Sequence, residues 1–295
     1  MSSLDEKFQE AGLDPAWVRD LVARSLAEDL GGPDGVDVTS VATIPAEQVD
    51  IVDVVARESG VVAGLPVALA VFETAGAASF EAHVADGSAV ERGDVVATVT
   101  GPTRALLTAE RTALNLLSRA SGIATHTRRW AEAIEGTGAQ VLDTRKTTPL
   151  LRPLEKYAVR AGGGTNKRMG LYDVAMIKDN HKFAAGSITA AFDAVRAAFP
   201  DVLVQVEVDT VAEAIEAVDA GATFLLLDNM PPAQLREVVA AVGGKVELEA
   251  TGGLTLDRAR EYAETGVDYL SVGGLTHSSP ILDIALDLRP RPEGA

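Results

Sequence analysis

The chain has 295 residues, of which 47% are apolar, and it carries a formal net charge of −17. This apolar content suffices for one large core or two smaller ones, and the acidic balance argues against general binding to nucleic acid. The sequence contains no cysteine, which excludes disulfides, thiolate nucleophiles and cysteine-based metal sites. Because a secretion signal and an eighteen-residue apolar window are both missing, we predict a cytoplasmic protein that has no contact with a membrane.

The first hundred residues predict a separate α+β unit. An initial helix extends to about Leu30, and a Gly/Asp loop (DLGGPDGVDVTS) follows it. Short alternating strands are predicted around residues 52–62. The segment HVADGSAVERGDVVATVTG indicates hairpins that turn at Asp86-Gly87 and at residues 92–94.

Residues 103–135 predict a helix that is broken near Ser121-Gly122. Its apolar positions follow the i, i+4, i+7, i+8 spacing of a buried stripe, formed by Ala109, Ala113, Leu116 and Leu117. Polar residues occupy another face, namely Thr108, Arg111, Asn115 and Ser118. From spacing alone, Arg111 is a solvated helix arginine.

The remainder of the chain predicts six βα units. The apolar runs are 140–143, 174–177 and those that begin near Val202, Phe224, Val246 and Tyr269. The last four runs recur about every 22 residues, the length of one strand plus one helix, which predicts parallel strands with right-handed crossovers. Runs such as FLLLD favour a closed or nearly closed barrel, and an open doubly wound sheet is the weaker alternative.

One segment reverses the charge of the chain. Between Asp143 and His181, eight Lys or Arg residues and four Asp or Glu residues give +4, whereas the whole chain has −17. Clustered cations replace the hydration that phosphates or carboxylates lose when they are bound. The segment therefore predicts a pocket for a small, multiply charged anion.

The residues that follow the six strands predict a binding site, because barrel enzymes bind ligands at the carboxyl ends of their strands. These segments are 143–146, 178–181, 207–209, 228–229, 251–253 and 273–274. Cations follow the early strands, carboxylates the middle ones and glycine pairs the last ones, which indicates a site with two halves. The glycine pairs could instead be tight turns, Glu207 and Asp228 helix caps, and Lys178 part of a structural ion pair.

A set of motifs matches a known family. In order, they are AERTALNLLSRASGIAT, LDTRKTTPLLRPLEKYAVRAGGG, GLYDVAMIKDNH, VEVDT, LLLDNM, EATGG and GVDYLSVGGLTH. From EDLGGPDGVDVTS to THSSPILDIALDL, the chain resembles nicotinate-nucleotide pyrophosphorylase (carboxylating), also called quinolinate phosphoribosyltransferase, a type II phosphoribosyltransferase.

This resemblance implies an α/β fold with an N-terminal α/β sandwich domain followed by an incomplete (open) parallel α/β barrel. The predicted domains are a sandwich with a linking helix at 1–116, a catalytic barrel at 117–288 and a C-terminal tail at 289–295. The family forms homodimers in which one subunit's sandwich covers the partner's barrel mouth. Arg111 would then complete the partner's site, in a homodimer or a higher oligomer.

The reaction that the resemblance implies joins quinolinate to phosphoribosyl pyrophosphate and gives nicotinate mononucleotide, pyrophosphate and CO2, a step of de novo NAD biosynthesis. Mg²⁺ is expected as the cofactor, held through the pyrophosphate. The pyridine nitrogen itself attacks the sugar, so no nucleophilic side chain is required.

Site residues carry over by motif. The catalytic ones would be Lys146, Glu207 and Asp228, and the last two would also face the ribose and the metal. The substrate-binding residues would be Arg111, Thr144, Arg145, Lys146, Lys167, Arg168, Lys178, Glu207, Asp228, Thr251, Gly252, Gly253, Gly273, Gly274 and His277. Arginine forks match the substrate carboxylates, and the glycine segments would hold the nucleotide phosphate.

Two positions depart from the family pattern. Lys167 stands where the family has a histidine of GGGxNHR, and Thr251 replaces a more usual serine. Lys167 leaves open a related enzyme with another anionic acceptor, such as a molybdenum-associated paralogue. A non-catalytic sensor of quinolinate or nucleotide is the rival from another class, and the presence of both Glu207 and Asp228 argues against it.

Overall fold

A computed structural model gives the structure of the protein and describes residues 3–290. The helices are α1 (Leu4–Glu10), α2 (Pro15–Leu30), α3 (Val38–Thr43), α4 (Leu65–Ala75), α5 (Thr103–Ala133), α6 (Arg152–Ala161), α7 (Asp179–Ala185), α8 (Ile188–Ala198), α9 (Val211–Asp219), α10 (Pro232–Val242), α11 (Ala259–Ala263) and α12 (Gly274–His277). The strands are β1 (Val49–Ala56), β2 (Gly60–Val61), β3 (Ser79–Ala82), β4 (Ala89–Val90), β5 (Val95–Pro102), β6 (Gln140–Leu142), β7 (Val174–Ile177), β8 (Leu203–Val208), β9 (Phe224–Asp228), β10 (Glu247–Thr251), β11 (Tyr269–Ser271) and β12 (Ile284–Leu288).

The chain packs as two compact units. The first contains the residues up to His126, Pro153–Gly162 and those from Ser279 on, and the second contains Thr127–Arg152 and Gly163–Ser278. The contiguous domains 1–116, 117–288 and 289–295 stay a prediction, and residues 291–295 of the tail lie outside the described part. Between residues 3 and 290, no helix has both the length and the apolar character that crossing a bilayer requires.

The first unit is built on an antiparallel sheet with the strand order β12-β1-β5-β3, and a small β2-β4 ladder accompanies it. The predicted α+β character is thus confirmed, but the predicted hairpins are wrong. The turns at Asp86-Gly87 and 92–94 do not connect paired strands, because β3 pairs with β5 and β4 with β2. Asp86 instead accepts hydrogen bonds from Gly64 N (2.9 Å) and Leu65 N (3.1 Å), at the start of α4.

The N-terminal segment forms two helices, so the prediction of one initial helix up to Leu30 is wrong. Gly12 adopts a left-handed φ of 67° and ends the first helical segment. Asp14 then caps α2 by accepting a hydrogen bond from Ala16 N at 2.9 Å. The capping signal for this second start was present in the sequence, and Pro15 occupies the first helical position.

Helix α5 is continuous, so the break predicted near Ser121-Gly122 is wrong. Both residues serve tertiary packing instead. Ser121 Oγ accepts a hydrogen bond from Ala63 N at 3.0 Å, and a Cβ on Gly122 would lie 2.0 Å from the Pro280 carbonyl oxygen. The apolar stripe of this helix is buried as predicted, and Arg111 is exposed.

Replacing Gly122 with alanine is expected to destabilise the protein by about 1–3 kcal/mol, because the added methyl group overpacks the contact with Pro280. Helix propensity alone predicts the opposite, a gain of about 0.5–1 kcal/mol. Urea denaturation measures the difference. Asn115→Ala, at an exposed position of the same helix, is the control and should change stability by only about 0.5 kcal/mol. A stabilised Gly122→Ala variant would contradict the packing argument.

The second unit contains the six predicted parallel strands, in the order β6-β11-β10-β9-β8-β7. Strands β6 and β7 follow each other along the chain but lie at opposite edges of this sheet. The sheet is therefore open between them, as an incomplete barrel requires. Because the strands are parallel, their carboxyl ends all lie at the same end of the sheet, which we call the strand edge.

The register divides the residues of this sheet between two faces. One face is apolar and carries Val141, Val206, Leu225, Leu248 and Leu270, all nearly inaccessible to solvent. Helices α8, α9 and α11 pack against strands of the sheet. The other face, which we call the polar face, carries Gln205, Glu207, Asp228, Glu249, Thr251 and Ser271. Charged side chains on a central sheet are costly to bury, so the polar face points to a functional site.

Candidate active site at the carboxyl ends of the strands

The loop after β6 is anchored by Asp143, a fully buried carboxylate. Its two oxygens accept hydrogen bonds from Asn166 Nδ2 at 2.7 Å and from the backbone N of Lys167 at 2.8 Å. Charge-assisted bonds of this kind are among the stronger ones in proteins. Asp143 therefore fixes the glycine-rich loop beside the end of β6, and it positions Lys167 and Arg168.

Lys146 and His277, two of the predicted site residues, meet at a third one, Gly273. A Cβ on Gly273 would lie 3.0 Å from Lys146 Cδ and 3.3 Å from His277 Nε2. The absence of a side chain at this position leaves space for both groups. Thr276 Oγ1 donates a hydrogen bond of 2.9 Å to the Lys146 carbonyl oxygen and fixes the backbone of the lysine. The exposed Lys146 side chain is thus available to a ligand.

Arg145 and Arg168 form a local concentration of positive charge. The pKa of Arg168 is lowered mainly by burial, and the positive charge of the neighbouring Arg145 lowers it further. Arg168 donates to the Val174 carbonyl oxygen at 3.1 Å, whereas Arg145 Nε is buried and has no hydrogen-bond partner within residues 3–290. Two neighbouring guanidinium groups are suited to an anionic ligand.

Lys167 is paired within the protein. Its Nζ lies 2.6 Å from Glu249 Oε1, and the side chains of Lys167 and Glu249 are 7% and 0% exposed. Burial lowers the pKa of Lys167, and Glu249 opposes this effect. Binding of a substrate carboxylate by Lys167 stays a prediction, and any such contact would be shared with Glu249.

Two carboxylates and a lysine occupy the middle of the strand edge. Lys178 Nζ lies 2.6 Å from Glu207 Oε2, which agrees with the ion pair considered from the sequence. Asp228 accepts a hydrogen bond of 2.7 Å from Asn229 Nδ2. Burial is the main cause that raises the pKa of Asp228, and the charge of Glu207 raises it further. Two interacting carboxylates at this edge favour a cationic or metal-bound ligand.

The two glycine segments differ in structure. Gly252 and Gly253 adopt left-handed φ angles of 90° and 61° after Thr251. A Cβ on Gly252 would lie 2.2 Å from Asn229 Oδ1, so only glycine fits there. Gly273 has an ordinary φ of −63°, and Gly274 begins the short helix α12. The predicted turn is therefore present at the first segment, and the second begins a helix.

All predicted site residues except Arg111 belong to the second unit. Arg111 belongs to the first unit and is exposed on α5, as its spacing predicted. Two structural roles were missed, that of Asp143 as the loop anchor and that of Glu249 as the partner of Lys167. A charge inside the strand VELEAT was the signal for Glu249, because a carboxylate that breaks an apolar run requires a buried partner.

Comparisons with known proteins identify the family of this chain. The family model of the N-terminal domain of quinolinate phosphoribosyl transferase matches residues 37–121, and that of the C-terminal domain matches residues 123–287. The chain belongs to the quinolinate phosphoribosyl transferase family. The two matched regions meet at residue 122, inside the continuous helix α5.

Members of this family resemble the chain over nearly its whole length. Nicotinate-nucleotide pyrophosphorylase [carboxylating] from Mycobacterium leprae is 48% identical over 279 residues, which cover 92% of this chain and 96% of the relative. NadC from Streptococcus pyogenes superposes with a TM-score of 0.89 at 38% identity, and 94% and 98% of the two chains are covered. The nicotinate-nucleotide pyrophosphorylase of Francisella tularensis gives 0.88 at 33% identity and 93% and 96% coverage.

Proposed function

We propose that this member of the quinolinate phosphoribosyl transferase family transfers the phosphoribosyl group of phosphoribosyl pyrophosphate to quinolinate, with decarboxylation. The products are nicotinate mononucleotide, pyrophosphate and CO2, and the reaction serves de novo NAD biosynthesis. The names of the relatives support this function. The observation that supports it most is that the strand edge has two halves. The cationic half contains Arg145, Lys146 and Arg168, and the carboxylate half contains Glu207 and Asp228.

The cationic half suits the acceptor. Quinolinate carries two adjacent carboxylates, and Arg145, Arg168 and Lys146 supply positive charge: Arg145 Nε has no hydrogen-bond partner within residues 3–290, and the Lys146 side chain is exposed. Guanidinium groups bind carboxylates bidentately and orient them, whereas an ammonium acts as a point charge. Holding both carboxylates would direct the ring nitrogen of quinolinate toward the sugar.

The carboxylate half suits the donor and its metal. Glu207 and Asp228 would stabilise the positive charge that develops at the anomeric carbon while pyrophosphate departs. Within residues 3–290, no group of three or more His, Asp or Glu side chains could hold a metal ion by itself. We propose that Mg²⁺ is bound mainly through pyrophosphate oxygens, because Mg²⁺ commonly uses one or two protein carboxylates together with substrate phosphates. When bound, the metal would neutralise charge on the leaving group.

The order of the chemical steps follows from the electronics of the ring. The ring nitrogen forms the bond to the anomeric carbon, and the bond to pyrophosphate breaks. When the adjacent carboxylate departs as CO2, the electron pair of the broken bond stays on the ring carbon, where the positive charge of the quaternary nitrogen stabilises it, and that carbon then takes up a proton. Decarboxylation should therefore follow glycosyl transfer. Detection of free nicotinic acid formed from quinolinate would contradict this order.

The function is tested by incubating the purified protein with quinolinate, phosphoribosyl pyrophosphate and Mg²⁺. Nicotinate mononucleotide and CO2 are expected to form in equal amounts and only with the enzyme. Nicotinic acid, which lacks one of the two carboxylates, is the matched control acceptor and should react poorly. Quinolinate binding without turnover would favour a sensor, and turnover of a different anionic acceptor would favour a paralogue.

We also propose a homodimer in which Arg111 completes the site of the partner subunit. Its exposure on α5, away from the apolar stripe, supports this role. Mixing the inactive variants Arg111→Ala and Lys146→Ala should restore about a quarter of the wild-type activity, because half of the dimers are hybrids with one intact site. A mixture that stays inactive despite exchange of subunits would count against the shared site. The cytoplasmic location rests on the sequence prediction alone.

A further inference from the structure

A pocket of about 350 Å³ lies within the first unit, between α1, α4, α6 and the segment that contains β3. Pockets of this size commonly hold small organic molecules. None of its wall residues belongs to the site proposed above, and most of the wall is apolar. The larger apolar residues of the wall are Leu65, Pro66, Leu69, Phe80 and Val84.

Asp86 contributes a carboxylate to the wall of this pocket. Its Oδ2 accepts hydrogen bonds from Gly64 N at 2.9 Å and from the Tyr157 hydroxyl, and its Oδ1 accepts one from Leu65 N at 3.1 Å. These are the hydrogen bonds of the carboxylate within residues 3–290. Because a carboxylate has about four acceptor positions, one position on Oδ1 remains for a further donor.

The carboxylate of Asp86 forms no ion pair with any side chain of residues 3–290. Its three donors are neutral groups, and the N-terminus of α4 compensates only part of a full negative charge. Burial raises the pKa of Asp86, although all three hydrogen bonds act to lower it. The other charged residues of the wall, Lys7 and Glu10, have opposite signs and leave the pocket with a net negative charge. A ligand that brings a positive charge would stabilise such a carboxylate.

The walls of the pocket are held together by contacts between distant parts of the chain. Arg160 donates a hydrogen bond of 2.6 Å to the Ala11 carbonyl oxygen, and its guanidinium lies 5.6 Å from the centre of the Tyr157 ring. The ring of Phe80 packs against that of Phe72, with ring centroids 6.1 Å apart. A pocket whose walls are already ordered loses little conformational freedom when a ligand binds, which favours affinity.

We propose that this pocket binds a small organic amine. The apolar body of the amine, roughly the size of a benzene ring, would lie against Leu69 and Phe80, and its protonated nitrogen would donate a hydrogen bond to Asp86 Oδ1. The apolar wall matches the body, and the carboxylate matches the charge. The inference does not depend on the proposed function, because the pocket and the proposed site have no residue in common.

An NMR titration of the wild-type protein with 2-phenylethylamine tests the charge of the ligand. At about pH 8 the amine is protonated, and it should bind with a Kd of about 1 mM or below, as expected for so small a molecule. 2-Phenylethanol has the same ring and chain but a neutral hydroxyl, and it should bind at least about tenfold more weakly. Equal affinities of the two compounds, or no binding of the amine at about 10 mM, would overturn the proposal.

An amine could also bind near Glu207 and Asp228, so variants of the pocket have to locate the binding. Leu69→Trp fills the pocket and should abolish binding of 2-phenylethylamine. Thr74→Trp, at an exposed position of α4 that does not line the pocket, is the matched control and should change the Kd by less than about twofold. Asp86→Asn should weaken binding of the amine about tenfold and leave that of 2-phenylethanol unchanged. If Asp86→Asn does not fold, Leu69→Trp and the comparison of amine with alcohol still decide. Amine binding that survives Leu69→Trp would overturn the proposal.

Discussion

Replacing Lys167 with methionine is expected to lower the free energy of unfolding by about 3–5 kcal/mol, the range for breaking a buried ion pair by removing one partner. The cause is Glu249, whose carboxylate is 0% exposed and lies 2.6 Å from Lys167 Nζ. Its other oxygen, Oε2, is already buried without a hydrogen-bond partner within residues 3–290. The variant would therefore retain an uncompensated charge, and urea denaturation measures the loss.

Two further variants separate the charge effect from the loss of packing. The double variant Lys167→Met with Glu249→Leu removes both charges and should regain most of the stability, since an apolar pair often replaces a buried ion pair at little cost. Arg24→Met breaks an ion pair on the surface, because Arg24 Nε lies 3.2 Å from Asp20 Oδ2 and the two side chains are 60% and 61% exposed. It should therefore cost only about 0–1 kcal/mol. Equal losses for Lys167→Met and Arg24→Met would contradict the role of burial.

This pair also bears on the position where the family pattern has a histidine. A lysine that is held by a buried carboxylate is a fixed cation with a defined direction, and not a mobile surface charge. Glu249 thus explains how the longer side chain fits at the strand edge. We expect Lys167→Met and Glu249→Gln to alter quinolinate binding in a coupled, non-additive way, because the two side chains act as one unit.

Much of the second unit could be predicted because its signals are local and repeated. Each strand is an apolar run followed by polar residues, and parallel pairing brings all the strand ends to one edge. The meeting of Lys178 with Glu207, and of Lys146 with Gly273 and His277, follows from that geometry. Side chains that directly follow successive strands are thus the part of a barrel site most readily predicted from sequence.

Two incorrect predictions and one missed pairing share a different cause, because each depended on contacts with distant parts of the chain. Lys167 and Glu249 are 82 residues apart, and their pairing requires the loop position that Asp143 fixes. Gly122 suggested a helix break, but its small size serves the approach of Pro280. The turn at Asp86-Gly87 suggested a hairpin, but Asp86 caps a different helix. Local propensity cannot distinguish these tertiary uses of glycine and aspartate from turns.

Replacing Asp228 with asparagine should reduce kcat/KM for phosphoribosyl pyrophosphate by about 10²–10³, the effect of removing one preorganised electrostatic group from a transition state. The amide keeps the size of the side chain but carries no negative charge to oppose the positive charge at the anomeric carbon. Asp228 ends β9 and contributes to the carboxylate half together with Glu207, whose charge acts on it. Steady-state rates with each substrate varied in turn measure the effect.

A loss of charge at the donor half should leave the acceptor half intact, and this separation is the sharpest test of the two-half site. Quinolinate binding to Asp228→Asn, measured by titration calorimetry, should stay within about twofold of wild type, because Arg145 and Arg168 supply the opposite charge. Asp219→Asn, at the exposed end of α9, is the matched control and should keep full activity. If Asp228→Asn lost quinolinate binding as well as turnover, Asp228 would instead maintain the structure of the whole strand edge. The assignment of separate donor and acceptor halves would then be wrong.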